Sequence, residues 1–144
     1  MDDASDEELV ARLIGLHGEE GICPSAADWR AILAVGGAVH VLNVLAFVDL
    51  VDTPTGVRSG EDAYRRYMMS VAKPFAVAGG ERVFFGAVGH VFTFGAVEAW
   101  DTAILTRYPS AHALAGMWLD PEFVQAHQQR VDGVARSLVM IFGA

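Results

Sequence analysis

Few side chains in this sequence have the type and placement to do chemistry: His40, Asn43, Tyr64, Tyr67, Trp100 and His127. His127 falls on the inner stripe expected of the last helix, with Arg130 one turn further on. A ring there is either a packed histidine bonded to backbone, the commoner outcome, or a general base at the mouth of a cavity. The second role requires a pKa near the working pH. Asn43 sits mid-strand among Val41, Leu45 and Phe47. A buried amide must find partners, so a structural hydrogen bond, to Tyr64 or Tyr67 for instance, is favoured over contact with a ligand. Strand alternation sends His40 and Asn43 to opposite faces unless a bulge intervenes. Tyr64, Tyr67, Trp100 and Trp118 read first as core aromatics and second as ligand contacts. Asp101 and Arg107 can pair along one strand, Cys23 has no base spaced to activate it, and His17 and His112 read as surface residues.

Absent patterns narrow the chemistry. No two histidines stand four apart on a helix, and no carboxylate run suggests Mg or Ca. There is no GxGxxG or Walker-type loop to cradle a phosphate and no GxSxG elbow. No metal and no cofactor are expected, so a substrate would have to carry most of its own reactivity.

The 144 residues are 53% hydrophobic and 19% charged, which suits one folded domain rather than a disordered chain. A single Cys excludes an intrachain disulfide. The formal charge of −8 argues against a nucleic-acid partner. That charge is uneven: residues 1–28 carry net −7 and the rest −1, so the acidity belongs to an N-terminal appendage. Met1-Asp2-Asp3 does not open a secretory leader. Residues 31–48 are uncharged, but Gly36-Gly37 splits them and His40 and Asn43 lie inside, so a buried strand is expected there and not a membrane span. The expectation is a soluble, cytoplasmic protein with no membrane partner.

These residues need elements to position them. Ser5 heads a capping-box pattern before a helix striped with Leu9, Leu13, Ile14 and Leu16, which Gly18 and Gly21 end. A short helix starts at Pro24-Ser25 and runs through Trp29, Ile32 and Leu33 to Gly36-Gly37. Residues 1–37 form an acidic helical extension, and residues 38–144 the domain. Residues 38–50 read as a strand buried on both faces. A turn-rich segment follows, placed to cover a cavity mouth or to be an idle loop. Ser59 caps a helix striped with Tyr64, Tyr67, Met68, Val71, Phe75 and Ala78, bent at Pro74 and closed by Gly79-Gly80. Residues 82–95 are a second strand region, bulged or turned at Gly86 or Gly89, and residues 98–108 a third. A helix from Pro109-Ser110 restarts at Asp120-Pro121 with an inner stripe of Phe123, His127, Val131 and Val134, and residues 137–142 are the last strand. The order strand, helix, strand, strand, helix, strand is the ferredoxin-like α+β arrangement, βαββαβ, a four-stranded antiparallel sheet with two helices on one face. The uncovered face would leave a large apolar patch, so a symmetric homodimer is expected.

VLNVLAF (41–47), AYRRY (63–67), Gly79-Gly80, WDTAILTRYPS (100–110) and DPEF (120–123) with His127 resemble the family called domain of unknown function 1330, in order and spacing, over about residues 38–143. That family is similar to the dimeric α/β-barrel superfamily, whose members pair two ferredoxin-like units. The resemblance implies a dimeric barrel and brings no established activity. It puts Asn43, Tyr64, Tyr67, Trp100, Tyr108 and His127 at matching positions, whereas Ala46 stands where relatives often have Lys. The leading reading is an uncharacterised barrel protein that binds a small apolar or aromatic molecule in the barrel, with Asn43, Tyr64, Tyr67, Trp100 and Tyr108 as ligand contacts. A second is a cofactor-independent monooxygenase or isomerase in which His127 or His40 takes a proton from an acidic C–H or phenol, and Asn43 with a Tyr hydroxyl holds the oxyanion. A third is an interaction protein whose acidic extension docks on a partner or the other subunit.

Overall fold

A computed structural model describes residues 3–95 and 98–143, and of Asp3 and Ala4 only the backbone. Two helices come first, α1 (Asp3–His17) and α2 (Ala26–Leu33). Helix α1 begins ahead of Ser5, so Ser5 lies within it and not at its cap. Helix α2 has the full capping box: the Ser25 hydroxyl accepts from the Asp28 N–H at 3.0 Å and the Ser25 N–H donates to the Asp28 carboxylate at 2.9 Å.

The main sheet contains β1 (Val39–Phe47), β4 (Glu81–Ala87), β5 (Thr102–Tyr108) and β6 (Val134–Gly143). Its order is β4-β5-β1-β6, antiparallel throughout. A separate hairpin, β2 (Val51–Thr53) with β3 (Gly56–Arg58), occupies the turn-rich segment. Between β3 and β4 lie α3 (Gly60–Ser70) and α4 (Ala72–Val77); α5 (Ala111–Leu119) and α6 (Pro121–Gly133) separate β5 from β6.

The break between α3 and α4 falls at Val71, not at Pro74, because Pro74 sits in the first turn of α4, where a missing N–H costs nothing. Gly79, at φ +76°, ends the second helix in a conformation that a Cβ would disfavour. Strand β4 is bulged, but at Val83: Arg82 faces Thr106 and Phe84 faces Leu105, so Val83 opposes nothing. Strand β5 starts four residues later than expected, at Thr102, and Asp101 leaves the sheet to accept the Phe47 N–H at 2.8 Å. Arg107 therefore approaches Glu81 at 3.9 Å instead of Asp101. Val134 opens β6 and is not part of the helix stripe.

Alternation along β1 sorts the sheet into two faces. Val39, Val41 and Leu45 are buried beneath the helices, and Asn43 shares their side. His40, Leu42 and Val44 point the other way, opposite Phe142, Met140 and Leu138 on β6 and Arg107, Leu105 and Ala103 on β5. That second face is uncovered within one chain, as expected of a sheet with its helices on one side: Phe84, Leu138, Met140 and Phe142 are exposed there.

Helices α3 and α6 cross at Gly60 and Gly133. A methyl on Gly60 would run into the carbonyl oxygens of Val48 and Gly133, and one on Gly133 would lie 2.6 Å from the Gly60 carbonyl. Val48 ties this crossing to the end of β1, donating to the Gly133 carbonyl at 3.0 Å and accepting from the Gly60 N–H at 3.1 Å. The core is continuous from end to end. Val10 and Leu13 of α1, Trp29 and Leu33 of α2, Trp118 of α5 and Phe123 of α6 belong to one buried cluster with Val39, Leu45 and Tyr64. Among the described residues no helix is long and apolar enough to cross a membrane.

Candidate functional site

A cavity of about 680 Å³ lies between the helix-covered face of the sheet and the helices. This volume suits a small organic molecule. Its floor is the inner side of the strands: Val41 and Asn43 of β1, Ile104, Thr106 and Tyr108 of β5, and Val139 and Ile141 of β6. One wall is the apolar stripe of α3 and α4, with Tyr64, Tyr67, Met68, Val71 and Phe75; α5 adds Leu114, Met117 and Trp118. The third side comes from the N-terminal segment, where Ile22, Cys23, Trp29, Ile32 and Val35 line the space. Residues 21–35, which include α2, thus complete a chamber within a single chain. It is not the space between two paired sheets that a barrel lumen would occupy.

Arg130 of α6 is the group that organises the polar end. It is 4% exposed, and its guanidinium donates to the Asn43 Oδ1 at 3.3 Å and to the His127 Nε2 at 3.4 Å. The same guanidinium's charge works against burial at the Tyr64 hydroxyl. Asn43 therefore finds its partner in Arg130 and not in a tyrosine. Burial raises the pKa of Tyr64 and Tyr67 and pushes Tyr108 up to about 12, so all three phenols stay protonated near neutrality. Burial likewise raises the Cys23 thiol, which keeps it a poor nucleophile.

Asn43, Tyr64, Tyr67 and Tyr108, four of the sequence-derived ligand contacts, come together on this cavity. Trp100 does not. It lies in a shallow cleft with Glu98 and Arg136, whose guanidinium sits 5.1 Å from the centre of the indole. Neither candidate base lines the cavity. His40 is on the open face of the sheet, and His127 is packed in an aromatic cage, stacked on Phe123 with centroids 5.3 Å apart and 4.5 Å from Trp118. Burial, the neighbouring Arg130 charge and His17 lower the His127 pKa to about 3, too low for a general base at neutral pH. His17 is also no surface residue. It is half-buried against Trp118, and its Nε2 hydrogen-bonds the Trp118 carbonyl at 2.7 Å. His112 is half-buried too, 2.9 Å from the Asp6 carboxylate. Among the described residues no group of His, Cys, Asp and Glu is placed to hold a metal ion.

Arg130 is the buried cavity residue that the sequence does not single out. Its one signal is a charged side chain on the stripe that also carries Phe123 and His127. Ala46 lies on the strand face of His40, Leu42 and Val44, away from Asn43 and the cavity.

No protein-family model matches the chain, and no curated protein matches it. Among solved structures, it is similar to a protein of unknown function from Rhodopseudomonas palustris, at 24% identity and a TM-score of 0.77, over 85% of this chain and 95% of that one. It is similar to a dimeric protein of unknown function and ferredoxin-like fold from Bacteroides fragilis, at 13% identity and a TM-score of 0.50, over 76% of this chain and 99% of the other. A dimeric ferredoxin-like protein of unknown function from Thermobifida fusca matches at 16% identity, also with a TM-score of 0.50, over 76% and 92% of the two chains. At these identities the likeness is one of fold. The chain is an α+β protein with a ferredoxin-like fold.

Proposed function

We propose that this chain is a homodimeric binding protein that holds a small, largely apolar molecule in the chamber between its sheet and its helices. The observation that carries the reading is the cavity itself: about 680 Å³, walled by aliphatic and aromatic side chains, with a few polar groups gathered around Arg130. Tyr64, Tyr67 and Tyr108 offer protonated hydroxyls to a ligand, and Asn43 an amide. The sequence division at residue 37 becomes a division of labour in which residues 21–35 close the chamber built by the sheet and the helices after it.

Pairing is supported by the open sheet face, where Phe84, Leu138, Met140 and Phe142 are exposed, and by the dimeric ferredoxin-like proteins that share the fold. The sheet order β4-β5-β1-β6 supports the βαββαβ unit, and its pairing as a dimeric α/β barrel of the domain of unknown function 1330 kind rests on the sequence resemblance. The enzymatic alternative lacks support from geometry, because His127 and His40 both stand outside the cavity.

Native mass spectrometry on gently purified protein tests the reading. The expected result is a dimer that carries, or takes up from a panel of small aromatic and aliphatic probes, one molecule per chain. A monomer would overturn the pairing, and a dimer that retains and takes up nothing would overturn the binding role.

A further inference from the structure

We infer that the molecule held in this cavity is a carboxylic acid in its ionised form on an apolar body, with Arg130 as its buried counter-charge; the inference rests on the binding role proposed above. Arg130 lines the cavity and is almost wholly buried, yet no ion pair among the described residues includes it. Its two hydrogen-bond partners, Asn43 and His127, are neutral. Two neutral contacts do not use up the five N–H groups of a guanidinium, and they do not offset a charge taken out of water. A buried cation of this kind is incomplete until an anion reaches it.

The rest of the wall agrees. Its one carboxylate, Asp28, is held at the cap of α2 by the Ser25 N–H and leaves Arg130 without an acid. Arg82 also reaches the lining but is exposed, its guanidinium 5.6 Å from the centre of the Phe85 ring, so its charge stays in water and Arg130 is the buried cation. The remaining surface, including Val41, Ile104, Ile141, Met68, Phe75 and Leu114, suits an apolar body and not a second charge. A carboxylate fits best: it carries one negative charge, matches the guanidinium fork with two parallel hydrogen bonds, and asks for no further cation in an apolar chamber.

The test is a titration of the full chain with octanoate and octan-1-ol, which share a tail and differ in head group, at a pH where octanoate is ionised. Octanoate should bind at least tenfold more tightly than the alcohol. Arg130→Gln should erase that preference and bring the affinities for the two probes together. The ligand-free Arg130→Gln protein should melt at the same temperature or higher, the reverse of what a purely structural arginine would give. Equal affinity for the two probes would overturn the carboxylate and leave the binding role standing; binding of neither would overturn both. Octyl phosphate binding more tightly than octanoate would reassign the head group and overturn the inference. Should Arg130→Gln not fold, the ratio of the two affinities in the unaltered chain still decides.

Discussion

His127 shows how one side chain changes its chemistry once packed. A free imidazole titrates near neutrality, but this one is enclosed by Phe123, Trp118, Tyr67 and His17, beside a fixed positive charge. Its folded-state pKa of about 3 lies below the unfolded value near 6.5, so in that window the unfolded chain binds more protons. Stability from this residue is therefore complete above about pH 6.5 and is lost as pH falls toward about 3. Urea denaturation across that range should show a fall on the order of a few kcal/mol, and His127→Phe should flatten much of the slope; a variant with an unchanged slope would remove His127 as its source. Phe123, wholly buried beneath the same ring, should cost roughly 3–5 kcal/mol as Phe123→Ala in the same measurement. Tyr64 and Tyr67 were legible in the sequence because the helical period of α3 puts them on one inner stripe; alternation on β1 separated Asn43 from His40 but left open which of them faced the helices. Arg130 was not legible, since an arginine on a helix is ordinarily wet, and its burial follows from α3 closing over α6 and β1 passing beneath.

Elements follow their local signals where those signals are chemical. Ser25, Ser59, Ser110 and Asp120 all cap helices where the sequence marks a start, and each accepts a backbone N–H of the first turn. Ser25→Ala should destabilise by about 1 kcal/mol in a thermal melt, through loss of both bonds of the capping box. Departures occur where long-range packing decides. The β4 bulge falls at Val83, which has no turn chemistry, because pairing with β5 and not glycine placement sets the register there. The α3–α6 crossing gives two glycines a role that their sequence context does not announce. Gly133→Ala should destabilise by about 1–3 kcal/mol, since the added methyl meets backbone that cannot yield. A melt equal to the parent would show that the helices can separate at that point.

For the whole molecule, the two faces of one sheet have different fates. One is covered by the chain's own helices and encloses the cavity; the other presents Phe84, Leu138, Met140 and Phe142. Met140→Glu, in the middle of that second face opposite Leu42, should yield a monomer by light scattering with its thermal melt still cooperative. A variant that stays dimeric would place the contact elsewhere, and the exposed Phe92 and Phe94 would be the next surface to probe. The open face was anticipated from the apolar makeup of β1, but the cavity's roof was not, because nothing local in residues 21–35 tells which surface they will lie on. One feature of that roof extends to spectroscopy. Of the chain's three tryptophans, Trp29 and Trp118 wall the chamber edge to face with centroids 5.3 Å apart, and Trp100 lies outside it. With Trp100 replaced by Phe, the near-ultraviolet emission of the chain would come entirely from the chamber wall, so its wavelength would report on filling without any label attached.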